Sequence, residues 1–455
     1  MLAESSSLDE RDSAVRLVMP LQGLGNRRMK LNRIQEFIGR IVPVAVELRE
    51  RVLEIGGIDS VNRQRILILG GDGYLGWPTA MHFSVRGFDV TIVDNLSKRR
   101  WEQELGVRPL IPIPSLLHRV EQWAETTGKR IRCYVGDVTN FDFMDSVIEQ
   151  VRPDTVIHFG EQPSAPFSMR DREHAVFTQV NNVVGTLNLV FALYNHGSEA
   201  HLVKLGTMGE YGTPNIDIEE GYITIVHKGR QDRLPYPKQP HSFYHLSKVH
   251  DSHNLMFAAR TWNLRVTDLN QGVVYGVSTP ETRLHADLVT SFHYDETFGT
   301  VINRFLVQAA KGIPLTVYGS GGQRRGFLNI LDTLQCVELA CLNPAQPGEF
   351  RVFNQFTEQF TVGELADRVR EAGAKHSIEV TTSSVENPRV EKERHYYEAA
   401  HTGLVELGLE PHLLTVDVLA DMLDEVLRHA DSVDVDVVWP KTLWAPKRSE
   451  ADLPV

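Results

Sequence analysis

A tyrosine and a lysine four residues apart, Tyr244 and Lys248, are the pair in this sequence best suited to move a proton. On a helix, positions i and i+4 share a face, so the phenol and the ammonium can meet in one cleft. A cation lowers the pKa of a phenol, and the phenolate can remove a hydroxyl proton as hydride leaves. Thr207, at the end of a predicted strand, has a hydroxyl that can share this hydrogen bond. The pattern predicts oxidation of an alcohol.

A glycine-rich loop predicts the hydride acceptor. Gly70, Gly73 and Gly76 lie between a predicted strand and a predicted helix. The first glycine allows a tight turn, the second lets backbone N–H groups approach a pyrophosphate, and the third allows close helix–sheet packing. The loop residues assigned to the cofactor are Gly70, Asp72, Gly73, Tyr74, Leu75 and Gly76.

An acidic residue at the end of the next strand, Asp94, favours NAD over NADP. It lies 24 residues beyond Gly70, where a carboxylate accepts from both hydroxyls of an adenosine ribose and repels a 2′-phosphate. Arg99 and Arg100 nearby argue the other way, because arginines can hold a 2′-phosphate. The further cofactor contacts expected are Asn95, Arg99, Asp137, Val138, Tyr244 and Lys248, with Asp137 and Val138 near the adenine.

The elements that position these residues alternate between short apolar runs and helical patterns from residue 65 onward. Predicted strands cover 66–69, 90–93, 132–135, 155–159 and 202–205. This spacing predicts an α/β fold with a Rossmann-type, doubly wound parallel sheet covered on both faces. Beyond residue 280, helical patterns at 302–311, 333–341 and 362–372 predict a smaller, discontinuous, mostly helical substrate lobe.

Four segments are expected along the chain. Residues 1–63 form a helical N-terminal extension, and residues 64–276 form the NAD-binding domain with an inserted substrate-loop segment at about 213–241. Residues 277–430 form mainly the substrate lobe. Residues 431–455 form a C-terminal tail.

Composition excludes several classes of function. The 455 residues are 42% hydrophobic and 23% charged, which is typical of a globular protein. A net charge of −12 does not favour binding to nucleic acid. The sequence contains no run of 18 apolar residues, so no membrane-spanning helix is expected. The acidic first residues do not resemble a targeting signal. Three cysteines without a CxxC pattern predict neither a disulfide framework nor a metal site, so a cytoplasmic protein is expected.

Together, the motifs resemble the extended short-chain dehydrogenases that act on nucleotide sugars, whose helix-four signature is similar to residues 181–188. Longer runs resemble one family among them, the UDP-sulfoquinovose synthases. These runs are 207–222, 234–239, 242–253 and 268–276. The similarity extends from about residue 65 to about residue 427 and does not cover the first 60 residues.

The resemblance implies a reaction in which UDP-glucose and sulfite give UDP-sulfoquinovose and water with tightly held NAD. It implies that Tyr244 takes the 4-OH proton while hydride leaves C4, with Lys248 and Thr207 in support. The 4-ketone acidifies C5–H, water leaves across C5–C6, sulfite adds at C6, and hydride returns to C4. Enzymes of this family are classed as hydrolases.

The residues after Thr207 separate this chain from a relative with a different activity. Sugar 4,6-dehydratases carry Thr-Asp-Glu where this chain has Thr207, Met208 and Gly209. Their Asp protonates the leaving hydroxyl and their Glu acts at C5, which Met208 and Gly209 cannot do. Glu210 and His245 are the alternatives for this proton chemistry, although Glu210 can instead cap a turn and His245 can face its helix neighbours.

Contacts with the UDP-sugar are implied by the same resemblance. The expected substrate-binding residues are Gln162, Ser164, Thr207, Asn270, Gln271, Asn303, Thr316, Arg325 and Arg389. Guanidinium groups suit diphosphate oxygens, which is the role expected of Arg325 and Arg389.

Two departures from the family affect the sulfite site. Pro163 stands where the family has an arginine, and 329–331 reads Asn-Ile-Leu where Asp-Ile-Arg is usual. A cation that can face sulfite is therefore missing, and Arg170, Arg172 and His245 are possible substitutes.

Two other functions remain open. One is a UDP-sugar 4-epimerase or related C4 oxidoreductase that converts UDP-glucose without sulfite. The other is a non-catalytic regulator that binds NAD or a nucleotide sugar, which the intact Thr207, Tyr244 and Lys248 argue against. The resemblance also implies a homodimer formed by the helices near Asn182 and Tyr244, with either free sulfite or a sulfite donor as the second reactant.

Overall fold

The computed structural model describes residues 64–389 and 395–444. The predicted helical extension at 1–63 and the end of the predicted tail lie outside the described residues. The strands are β1 (Arg65–Leu69), β2 (Asp89–Asp94), β3 (Ile131–Val135), β4 (Thr155–His158), β5 (His201–Thr207), β6 (Tyr222–His227), β7 (Arg230–Pro235), β8 (Arg265–Gln271), β9 (Val273–Tyr275), β10 (Leu315–Tyr318), β11 (Arg324–Asn329), β12 (Phe350–Gln355), β13 (Glu358–Thr361) and β14 (Thr382–Val385).

The helices follow the alternation that the sequence predicts. They are α1 (Gly76–Val85), α2 (Ser97–Leu105), α3 (Leu116–Thr127), α4 (Phe141–Val151), α5 (Ala165–Ser168), α6 (Arg172–Gln179), α7 (Gly185–Asn195), α8 (Phe243–Trp262), α9 (Val301–Ala310), α10 (Ile330–Leu342), α11 (Val362–Lys375), α12 (Gly403–Glu406) and α13 (Val416–Arg428). A π-helical turn, Val180–Val184, joins α6 to α7, and a short 3-10 turn, Met208–Glu210, follows β5.

A seven-stranded parallel sheet in the order β12-β8-β5-β4-β1-β2-β3 is the centre of the larger lobe. In β1, Ile66 and Ile68 pack with α1 and α3, while Leu67 and Leu69 pack with α4 and α7 on the other face. Successive strand residues point to opposite faces, so a strand buried on both sides must be apolar throughout. The predicted doubly wound α/β fold is confirmed.

The smaller lobe contains strands as well as the predicted helices. Helices α9, α11 and α13 pack around a core that includes Phe305, Leu365 and Leu423. A three-stranded sheet, β13-β11-β9, and the pair β10-β14 complete this lobe. Between β11 and β13 the chain returns to the larger lobe. There α10 packs on α1 and β5, and β12 pairs with β8. The smaller lobe is therefore discontinuous.

One helical stretch, Arg172–Asn195, is apolar and long enough to cross a membrane by length and composition. Half of its most apolar window is buried in the fold, where α7 packs against α4 and α8. Length and composition are weak evidence for a membrane span, because buried core helices have both properties.

The turn from β1 into α1 accepts only glycine at two positions. A Cβ on Gly76 would lie 1.9 Å from the carbonyl oxygen of Gly70. Gly70 itself has a φ of +88°, and a Cβ there would lie 2.7 Å from the backbone of Phe159. By contrast, the nearest atom to a Cβ on Gly73 is 3.4 Å away. The loop is thus held against the end of β4 by backbone contact.

This geometry predicts different outcomes for two alanine substitutions. Gly76→Ala lowers the free energy of unfolding by roughly 1–3 kcal/mol, because the methyl group forces α1 away from the loop. The matched variant Gly73→Ala leaves the free energy of unfolding nearly unchanged. Urea denaturation of both variants measures the difference, and equal midpoints would contradict this packing.

Candidate functional site

The loops that follow β1, β2, β4 and β5 border a cleft, and the smaller lobe forms its other wall. This is the carboxyl edge of the parallel sheet, where ligands of doubly wound folds bind. The loop residues from Gly70 to Gly76 lie on this cleft except Gly71, with backbone N–H groups near the start of α1. The end of the site expected to bind pyrophosphate therefore has the glycine geometry that this group requires.

The acidic residue expected to bind ribose lies on the cleft wall. The Asp94 carboxylate accepts hydrogen bonds from the backbone N–H groups of Asp72, at 2.9 Å, and Leu96, at 2.7 Å. Burial raises the pKa of Asp94 despite these bonds. Asn95 also lines the cleft and donates to Asp137 over 2.9 Å.

The predicted adenine contacts differ in their exposure to the cleft. Val138 is on its wall, whereas the Asp137 carboxylate lies beside Thr139 and Asn95. Burial opposes the Asp137 charge, but hydrogen bonds from Thr139 and Asn95 lower its pKa overall.

Arg99 does not line the cleft, because it is held by Asp72. Its Nε and Nη2 donate to the Asp72 carboxylate over 2.6 and 3.0 Å, and Nη2 also donates to the carbonyl of Pro114. Buried Arg119 contacts the same carboxylate. Arg99 therefore orders the loop that presents Asp94, and it does not face a 2′-phosphate. The residues on the wall fit NAD.

The sequence analysis missed one cation in this half of the cleft. Lys98 lines the wall, with its Nζ 3.1 Å from His293 Nδ1 and 4.5 Å from the ring centre of Phe298. Burial lowers the pKa of Lys98. Its place in the sequence, four residues after Asp94, was the available signal.

The tyrosine and lysine lie on the same face at the start of α8. The Ser242 hydroxyl caps this helix by accepting from the backbone N–H of His245 over 3.1 Å. Lys248 Nζ donates to the carbonyl of Leu205 over 2.6 Å and lies 5.8 Å from the ring centre of Tyr244. Thr207 ends β5 beside them and lines the cleft with Tyr244. The structure brings all three residues together.

The pKa of Tyr244 is raised, mainly by burial and next by the Glu161 carboxylate. Lys204 and a hydrogen bond with Thr207 act in the opposite direction with smaller effect. The expectation of a lowered tyrosine pKa is wrong for these residues alone, because burial and the Glu161 carboxylate raise it, and the Lys248 ammonium is itself paired with Glu161 Oε2 over 2.6 Å.

His245 lines the cleft and occupies the space beside Gly209. A Cβ on Gly209 would lie 2.4 Å from His245 Nε2. Burial, with Arg389 and Arg325 adding positive charge, lowers the pKa of His245 to about 3. The imidazole is therefore neutral near pH 7, and its Nδ1 lies 3.0 Å from the Ser242 hydroxyl.

Glu210 and Met208 are not part of the cleft wall. The fully buried Glu210 carboxylate contacts Lys204 and Lys238 and accepts from the Ser252 hydroxyl over 3.0 Å. Met208 packs in an apolar cluster with Tyr211 and its neighbours. Of the two alternatives for proton chemistry, the structure therefore places His245 at the cleft and Glu210 behind it.

The residues expected to bind the UDP-sugar divide into two groups. Those on the cleft wall are Ser164, Thr207, Gln271, Asn303, Arg325 and Arg389. The others bind neighbouring protein groups: Asn270 donates to the Tyr211 hydroxyl, Thr316 bonds to Gln308, and Gln162 bonds to the backbone of Ser164. Arg304, Tyr318 and Gln323 also line the cleft and were missed.

The three suggested substitutes for the missing cation are in different places. Pro163 lies on the cleft wall next to Ser164. Arg170 borders a separate pocket with Lys441, and Arg172 is exposed at the start of α6. Of these three residues, His245 is the one on the cleft wall.

Comparisons with known proteins identify the family of this chain. Residues 66–354 match the model of the NAD dependent epimerase/dehydratase family. The chain is 58% identical over 386 residues to the chloroplastic UDP-sulfoquinovose synthase of Spinacia oleracea, covering 85% of this chain and 80% of the relative. It is 42% identical over 383 residues to the UDP-sulfoquinovose synthase of Sulfolobus acidocaldarius, covering 84% and 97%.

Solved structures share the fold at lower identity. A UDP-glucose 4-epimerase of Stenotrophomonas maltophila with bound NAD has a TM-score of 0.61 at 18% identity, covering 81% of this chain and 98% of its own. A UDP-glucose 4-epimerase of Thermotoga maritima with UDP-glucose has a TM-score of 0.59 at 20% identity, covering 80% and 99%. At this identity the likeness establishes the fold.

The buried Glu210 carboxylate predicts an acid-sensitive contribution to stability. Burial opposes its charge, but Lys204 and Lys238 outweigh burial and lower its pKa. A lowered folded-state pKa stabilises the protein above the unfolded glutamate pKa of about 4.3, and this stabilisation is lost as the pH falls below it.

Glu210→Gln is therefore expected to lower the free energy of unfolding by about 3–5 kcal/mol near pH 7, because it leaves the buried lysines without their partner. The loss shrinks as the pH falls from the unfolded glutamate pKa of about 4.3 toward the lowered folded-state pKa, because the unfolded parent chain is protonated first. Denaturant unfolding at several pH values measures it, with the exposed Glu219→Gln as control. A loss that is the same at every pH would contradict this pairing.

Proposed function

This chain belongs to the NAD dependent epimerase/dehydratase family, and we propose that it is a UDP-sulfoquinovose synthase. It converts UDP-glucose and sulfite to UDP-sulfoquinovose and water. The observation that carries the proposal is the neutral His245 ring in the space beside Gly209, within a cleft that also holds Tyr244. The high identity to plant and archaeal enzymes of that name supports it.

The glycine loop, Asp94 and Asn95 would hold NAD. Bound there, NAD would supply the acceptor and later the donor of the hydride at C4 of the glucosyl group. Tyr244 accepts the 4-OH proton in the first step and gives it back in the last. Lys248 and Thr207 orient the phenol from either side, because one lies on the same helix face and the other ends β5.

His245 performs the proton chemistry at C5 and C6. The 4-ketone acidifies C5–H, and a neutral imidazole can take this proton and pass it to the leaving 6-hydroxyl. One proton and one hydroxide then leave as water, which creates the C5–C6 double bond. Sulfite then forms its bond to C6, and C5 regains a proton. The ketone at C4 is reduced in the last step.

The diphosphate is bound by the wall that the smaller lobe contributes. Arg325 and Arg389 present guanidinium groups to the cleft, and Asn303 offers an amide on α9. Planar guanidinium groups pair with phosphate oxygens through two parallel hydrogen bonds. Sulfite binds at the part of the cleft bordered by Pro163 and Ser164, whether it arrives free or from a donor.

The location of the protein is part of the proposal. The spinach relative is described as chloroplastic. For this chain we propose the cytoplasm, because Cys133, Cys336 and Cys341 are free thiols that suit a reducing compartment.

The first test is mass spectrometry of the purified protein incubated with UDP-glucose, with and without sulfite. We expect a sulfonated nucleotide sugar that forms only with sulfite. Tyr244→Phe should lower its formation by about 10²- to 10⁴-fold while UDP-glucose still binds, since the phenol moves the proton. UDP-galactose as the product would instead support the 4-epimerase, and binding of both ligands without turnover would support the regulator.

A homodimer is proposed from an apolar surface on α6, the π-helical turn after it, α7 and α8. Its exposed residues are Val176, Phe177, Val180, Val184, Phe191, Tyr194, Phe243 and Phe257. Contiguous apolar patches of this kind mark protein–protein contacts. The helices near Asn182 and Tyr244 carry this surface on the side facing away from the sheet.

This surface predicts the effect of a single charge. Val180→Lys should convert the dimer to a monomer, because a lysine at the centre of an apolar interface loses its hydration. Leu117→Lys, at an exposed apolar residue on α3, should leave the dimer intact. Light scattering coupled to gel filtration gives both masses. A parent protein that is already monomeric would overturn the proposed interface.

A further inference from the structure

A buried glutamate that the proposed mechanism does not use lies beside the catalytic pair. Glu161 follows β4 and lines the cleft. Its side chain is 2% exposed, and its Oε2 lies 2.6 Å from Lys248 Nζ, which is 3% exposed. Neither carboxylate oxygen accepts a hydrogen bond from any residue in 64–389 or 395–444, so the contact with Lys248 is an ion pair, and Oε1 lies 3.8 Å from His158 Nε2.

The burial of this carboxylate requires a compensating interaction. A buried charge is unfavourable unless it is paired and hydrogen-bonded, and Glu161 has one oxygen paired and the other open. A carboxylate with these contacts is suited to accept from a ligand in the cleft while it holds the lysine.

We propose that Glu161 is a positioning residue that holds the Lys248 ammonium and offsets its charge, so that Tyr244 can return its proton as well as accept it. This inference rests on the proposed function for the role of Tyr244. It also assigns the free oxygen of Glu161 to a hydrogen bond from the nicotinamide half of the bound dinucleotide.

The proposed redox cycle is closed, so the proton on Tyr244 has to move in both directions. Tyr244 must take a proton when C4 is oxidised and give one back when C4 is reduced. The Lys248 ammonium and the positive charge of oxidised NAD both favour the phenolate, which is useful in the first step and unfavourable in the last. A carboxylate 2.6 Å from the Lys248 ammonium reduces this bias, and Glu161 does raise the pKa of Tyr244.

The other charged groups near this pair are balanced among themselves. Lys204 on β5 pairs with Glu210 and with Asp268 on β8, and Lys238 pairs with Glu210. Burial lowers the pKa of His158 on β4 to about 4 and raises the pKa of Asp251 on α8, which favours the neutral form of both. Glu161 is thus the carboxylate whose removal leaves Lys248 uncompensated.

The test is Glu161→Gln, with the exposed Glu149→Gln as control. C4 oxidation is followed as NADH absorbance in a single turnover with UDP-glucose and no sulfite, across a range of pH. We expect the acidic limb of the pH–rate profile for C4 oxidation to move by at least one pH unit toward lower pH, because the phenol ionises more readily without the carboxylate. Glu161→Asp, which keeps the charge, should restore most of the parent profile.

A second measurement does not depend on turnover. In Glu161→Gln, the Kd of NAD⁺ should rise about tenfold and the Kd of NADH much less, since only the oxidised form carries the positive charge. A merely structural role would weaken both forms equally and leave the pH limb in place, which would overturn the inference. Because sulfite is absent, a failure of sulfonation bears on the proposed function and not on Glu161.

Discussion

The site depends on one buried ammonium group, that of Lys204 on β5. Its Nζ is fully buried and contacts Glu210, Asp268, the Ser252 hydroxyl and the carbonyl of Lys248. These groups belong to the turn after β5, to β8 and to α8, so one charge joins the elements that carry Thr207, Tyr244 and His245. A buried charge of this kind is stable only when all its partners are in place, which fixes the elements relative to one another.

The two walls of the cleft have different origins in the chain. One wall comes from loops at the edge of the parallel sheet and carries the glycine loop and Asp94. The other wall comes from α9, β11 and the segment near Arg389. Because β12 returns to the sheet between these pieces, the smaller lobe is attached at several points, and its cations are held at a set distance from His245.

The sequence predicted the features that depend on local pattern. Apolar runs marked the buried strands, glycine spacing marked the turn into α1, and the interval between Tyr244 and Lys248 marked a shared helix face. The sequence did not predict which side of the sheet each strand residue faces. Asn270 and Gln271 are adjacent on β8, so one points to Tyr211 and the other to the cleft. The burial of Glu210 depends on Lys238, 28 residues away in sequence, and no local pattern reveals such a pairing.

The contact between Gly209 and His245 makes these two positions interdependent in evolution. The ring fills the volume that any side chain at 209 requires, so a larger residue there requires either a new position for the imidazole or a change at 245. A substitution at 209 is therefore also a change in what the cleft presents at 245.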